Sequence, residues 1–140
     1  MADLLDGLAR HLAGQGLGVY DPTGASGNIF LEAKPSTPDA CIVLTVYDDG
    51  GESDSQLGYD DAPVQVRVRG TTDPRVSRQL CESIRSELHG LGETTLPDGT
   101  YLLLSRANQA VAGIGTDENR RHEHVCNLRM RVRSITAHRV

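Results

Sequence analysis

The chain has 140 residues, with 14 basic and 19 acidic side chains and a formal net charge of −5 at pH 7. That is the length of one domain with its own core, and the negative balance rules against bulk attraction to nucleic acid or an anionic membrane. The three cysteines, Cys41, Cys81 and Cys126, lie far apart, which excludes the spacing of a zinc ribbon or a disulfide framework.

No Trp and one Phe leave Leu, Val and Ile to fill the core, and 15 glycines point to a turn-rich β component. Asp3 to Ala13 reads as a helix. Leu4, Leu5, Leu8 and Leu12 share a face, Asp3 is the N-cap, and Asp6 suits the first turn. Acids stand where a secretory signal would carry bases. Val19-Tyr20 starts a short strand, Asp21 to Gly24 is a turn, and Asn28 to Glu32 is a second short strand. Two prolines make Lys34 to Asp39 a rigid loop, since neither can donate to a ladder. Ala40 to Tyr47 is the most apolar run, and its β-branching predicts a buried central strand.

Asp48 to Ala62 is a long polar loop crowded with acids: Asp48, Asp49, Glu52, Asp54, Asp60 and Asp61. Connections of that length are functional or mobile. Next, Val64, Val66 and Val68 alternate with Gln65, Arg67 and Arg69, predicting a strand with one buried face and one wet, basic face. Asp73-Pro74 then opens an amphipathic helix in which Val76, Leu80, Ile84 and Leu88 recur every four residues. Leu96 to Thr100 carries a turn signal, and Tyr101 to Leu104 reads as a strand. Ala110 to Arg121, with Gly113, Gly115 and a polar run, reads as a loop. His122 to Ile135 is a long alternating strand. It puts His124, Cys126, Leu128, Met130 and Val132 on one side and Val125, Asn127, Arg129, Arg131 and Arg133 on the other. The expected fold is α+β, a single domain over 1–140 with a mostly antiparallel, mixed β-sheet packed by two amphipathic helices. No run approaches the roughly 20 apolar residues of a membrane-spanning helix.

Three segments and the closing strand have a familiar order. They are Gly18-Val19-Tyr20-Asp21-Pro22, Ile29-Phe30-Leu31 with Pro35 and Pro38-Asp39, and Val64 to Gly70 followed by the Pro74 helix. In these the chain resembles the minor capsid and tail-terminator proteins of long-tailed bacteriophages with non-contractile tails. The resemblance implies a non-catalytic virion protein without a cofactor, assembled in the host cytoplasm into a homo-oligomeric, hexameric ring. The ring would cap the tail tube, contact tube and head–tail connector proteins, and let DNA pass without recognising it. A head-completion or tail-tube protein of the same virion is the nearest alternative.

Three constellations could carry chemistry. If the Val64 and His122 strands share a sheet, Arg67, Arg69, Arg129, Arg131 and Arg133 form one basic stripe. Arginine forks bind carboxylate or phosphate, so the stripe is a candidate subunit interface; the plain alternative is a solvated outer face. His122, His124 and Cys126 project from one side of a strand and are zinc-ligand types. Their spread along some 13 Å keeps one ion from reaching all three without a bulge. The acidic loop lacks the EF-hand order of ligands, so it is a candidate partner-contact loop that orders on binding. No G-x-S-x-G elbow, P-loop or dinucleotide fingerprint occurs.

Overall fold

Asp3 caps the first helix as its position predicts. Its carboxylate accepts hydrogen bonds from the amides of Leu5 at 3.1 Å and Asp6 at 3.5 Å. The computed structural model describes residues 3–47 and 52–139. Helix α1 spans Leu4–Gly14 and buries Leu5, Leu8, Ala9 and Leu12. Helix α2 spans Pro74–Leu88; Asp73 caps it by accepting from the Arg75 amide at 3.0 Å. Its buried stripe is Ser77, Cys81, Ile84 and Leu88. The predicted stripe began instead at Val76, which is 40% exposed. A strict four-residue spacing turns about 40° too far per step, so it drifts off the face that a 3.6-residue helix keeps.

Among the described residues, seven strands form one mixed sheet: β1 Ile29–Leu31, β2 Cys41–Val46, β3 Tyr59–Arg69, β4 Thr94–Thr95, β5 Tyr101–Ala107, β6 Ala112–Thr116 and β7 His122–Arg133. The order is β1-β2-β3-β7-β5-β4, with β6 paired to β7 beyond the end of β5. Only β1 and β2 run parallel; the other ladders are antiparallel. One face of the sheet is the core. It carries Ile42 and Leu44 of β2, Val64, Val66 and Val68 of β3, and Cys126, Leu128 and Met130 of β7. Both helices lie on that face, α1 against β1 and β2, α2 against β3, β5 and β7. This two-layer α+β plan is the one the alternating valines and leucines require. Among the described residues, no helix is long and apolar enough to cross a membrane.

Several boundaries differ from the sequence-based expectation. β3 starts at Tyr59, so Asp60 and Asp61 stand on a strand and not in the loop. The Ala110–Arg121 loop contains β6, whose five residues are all exposed. A strand wet on both sides shows no alternation to detect. β5 runs on to Ala107, and the Val19-Tyr20 strand reduces to a single bridge between Tyr20 and Gly27.

Candidate functional site

The register of β3 on β7 sets Arg67 opposite Val125, Arg69 opposite Glu123, Pro63 opposite Arg129, Asp61 opposite Arg131 and Tyr59 opposite Arg133. Directly paired residues share a face. The five predicted arginines therefore do lie on one side of one sheet, the side away from the helices. That face divides into a covered half and an open half.

The covered half lies under the segment between β1 and β2. Arg69 is only 2% exposed. Its Nε donates to the Asp39 carbonyl at 2.9 Å and its Nη2 to the Pro38 carbonyl at 2.7 Å. This corrects the reading of Arg69 as part of a wet face. Alternation decides which side a residue takes, and the proline loop then folds over that side. Arg121 completes the clamp, donating to Asp117 at 2.8 Å, to the Ser36 carbonyl at 2.7 Å and to Asp39 at 3.0 Å. Buried Glu123 accepts from Arg67 at 3.1 and 2.9 Å and from Lys34 at 2.7 Å.

Desolvation pushes the Glu123 carboxyl up, but the hydrogen bonds from Arg67 and Lys34 outweigh it and hold the group below the ordinary glutamate value of 4.5. Asp117 behaves alike: desolvation raises it, and the amide and guanidinium of Arg121 bring it down to about 2. A carboxyl depressed on folding stabilises the fold above its unfolded pKa, and that gain is lost as pH falls through the folded value. Wild-type protein should therefore lose stability on acidification below about pH 4.5. Glu123→Gln should be less stable at pH 7 and show a shallower acid limb, as read by urea denaturation at a series of pH values.

The open half carries Tyr59, Asp61 and Pro63 of β3, Arg129, Arg131 and Arg133 of β7, and Leu104 and Arg106 of β5. Arg131 grips the Asp61 carboxylate with a fork at 3.2 and 3.1 Å, and Arg106 stands 3.9 Å from the same group. The Arg131 hydrogen bond holds Asp61 below the usual aspartate range, against an opposing push from burial. A groove of about 710 Å³ runs along this half, lined by Val46, Leu57, Tyr59, Pro63, Arg129 and Arg131 among others. Leu57 at 58%, Leu104 at 40% and Tyr59 at 37% are apolar surface left facing solvent. Exposed Tyr and Arg beside aliphatic side chains is the composition of a protein-binding surface, and the guanidinium forks suit carboxylates.

Of the six acids of the predicted loop, Glu52, Asp54, Asp60 and Asp61 line this same groove. Asp48 and Asp49 lie outside the described residues. Glu52 is exposed and lines the groove. Asp54, exposed, caps its own turn by accepting from the amides of Gln56 at 2.9 Å and Leu57 at 2.7 Å. Asp60 accepts from Arg139 at 3.2 and 2.9 Å, and Arg139 also donates to the carbonyls of Leu57 and Tyr59. Asp61 belongs to the arginine face.

The His122, His124 and Cys126 set stays spread along β7. His124 Nδ1 pairs with Ser77 Oγ at 2.7 Å, tying the strand to α2. Cys126 is buried against Cys81, whose thiol is pushed up by their mutual hydrogen bond and by burial. Among the described residues no group of three His, Cys, Asp or Glu side chains is placed to hold a metal ion.

Sequence reasoning missed Leu104 and Arg106. A bulge at Leu103 breaks the period of β5: Leu102 and Ser105 face the core, Leu104 and Arg106 face out. It also missed the clamp of Arg121 and Glu123, because nothing local in the sequence marks a side chain whose partners are 82 or 89 residues away.

No curated protein matches the sequence. Residues 11–133 match the family model described as bacteriophage tail terminator protein. With most of its length covered by that match, the chain belongs to the bacteriophage tail terminator family.

Proposed function

We propose that this protein is the tail terminator of a long-tailed phage. It acts as a ring of identical subunits that caps the finished tail tube and meets the head, and it performs no catalysis. The observation that carries the reading is the open arginine face. It combines guanidinium forks with exposed Leu57, Tyr59 and Leu104, a surface made to bind protein, in a chain of a structural tail family. Arg129, Arg131, Arg133 and Arg67 stand on that side of the sheet, while Arg69 holds the loop beneath them. A hexamer built from such contacts would leave a lumen for DNA.

The test is a phage lacking this gene. Its lysate should contain tails of uncontrolled length and no joined heads by electron microscopy, and supplying the protein in trans should restore both. Copy number per virion separates the rivals, because a tube subunit is present in many more copies than a single terminal ring. Normal tails from the deleted phage would overturn the reading.

A further inference from the structure

The three cysteines are far apart in sequence, and the fold brings two of them together between helix and sheet. Ser77 Oγ meets His124 Nδ1 at 2.7 Å, which fixes α2 against β7 at one point. Just past the other end of α2, His89 Nδ1 accepts from the Ala107 amide at 2.9 Å, and Ala107 pairs with Leu128. Helix and strand therefore run in the same direction. From Ser77, four residues of helix lead to Cys81, a rise of about 6 Å. From His124, two residues of strand lead to Cys126, about 6.6 Å along. The two steps match, and the thiols of Cys81 and Cys126 are hydrogen-bonded to each other. Both residues are buried in the core, at 0% and 1% exposure. Cys41 lies on the other side of the sheet, paired with Arg69, while Val68 beside it faces the core.

We propose that Cys81 and Cys126 are a latent disulfide, open in a reducing compartment and closed in an oxidising one, where it ties α2 to β7. The pairing stands on the helix–strand contact and goes beyond the terminator reading. That reading supplies only the occasion, since a tail protein made in a reducing cell is carried outside it with the released particle. A small disulfide such as oxidised glutathione is a sufficient oxidant. One thiol loses its proton and attacks a glutathione sulfur, giving a mixed disulfide and one glutathione thiolate, which takes up that proton. The second thiol is deprotonated in turn and displaces the remaining glutathione. Two electrons and two protons thus pass from the pair to two glutathione thiols. Burial keeps both cysteines protonated, so closure waits for a local opening of α2 and is slow. A slow step of this kind leaves the bond open during assembly and closed afterwards. Tying residues about 45 positions apart stabilises the fold mainly by restricting the unfolded chain. A metal is the poorer occupant: His124 is held by Ser77, and among the described residues no three ligating groups converge.

The test is to incubate the purified full chain with oxidised glutathione and count thiols by alkylation in denaturant. The count should fall from three to one, and a peptide map should join Cys81 to Cys126 and leave Cys41 alkylated. The oxidised protein should melt about 8 °C above the reduced protein, and a reductant should reverse the shift. Cys41→Ala should close the bond as wild type does, and Cys126→Ala should gain no stability from oxidant. If Cys126→Ala does not fold, the wild-type peptide map and melting shift decide alone. Three free thiols after prolonged oxidation would sink the proposal. So would a bond to Cys41, a glutathione adduct that never resolves to the Cys81–Cys126 bond, or an oxidised protein that melts no higher than the reduced one. A bond that forms as described in a protein whose deleted phage makes normal tails would leave this pairing in place and remove the terminator reading.

Discussion

Gly92→Ala should destabilise the protein by about 3–5 kcal/mol, a large share of the 5–15 kcal/mol that a domain of this size has in total. Gly92 has φ +145°, a conformation that side-chain-bearing residues avoid. A Cβ there would sit 2.1 Å from the Leu103 carbonyl oxygen and 2.7 Å from its carbon. Those are backbone atoms of the bulge in β5, so no rotamer change relieves the clash. The surroundings are equally fixed. The Gly90 amide donates to Ser105 at 2.7 Å and the Ser105 amide to Leu91 at 2.8 Å, which lashes the segment after α2 to β5. Pushing it away would shift the bulge that turns Leu104 and Arg106 outward. The variant should therefore melt far below wild type in urea and, where any folded fraction survives, assemble poorly. A Gly92→Ala protein with wild-type stability would mean that β5 lacks the close backbone approach described above.

The plan of two helices on a mixed sheet was readable because the elements that carry it are strongly periodic. Val64, Val66 and Val68 face Leu128, Cys126 and His124 across one ladder, and both strands announce their alternation in sequence. The caps were readable too, since Asp3 and Asp73 act through amides two or three residues away. The rest depends on longer reach. β6 is solvated on both sides, so its pairing with β7 leaves no pattern in Ala112–Thr116. The core stripe of α2 was misplaced by one position at its start because Ser77, a polar residue, is buried there by its bond to His124. For the site, the common side of the five arginines followed from period 2 alone. Which of them meets solvent did not, because that is decided by a proline loop about thirty residues earlier in the chain.

That division makes the sharpest contrast available between two arginines of the same stripe. Arg69→Ala should cost about 3 kcal/mol and lower the melting temperature by about 10 °C. The carbonyls of Pro38 and Asp39 would each lose a donor in a place that water does not readily reach, and a cavity would open beneath the loop. Arg69→Lys should not rescue it, since one ammonium cannot span two carbonyls with the fixed spread of a guanidinium. Arg131→Ala should behave oppositely. Arg131 is 53% exposed and paired to a carboxylate that is itself 34% exposed, a contact worth about 0–1 kcal/mol. Its melting curve should overlay wild type while its assembly by native mass spectrometry weakens. If Arg131→Ala unfolds the chain, or Arg69→Ala melts with wild type, then the proline loop does not separate scaffold from surface on this sheet. The arginines would then have to be reassigned one by one.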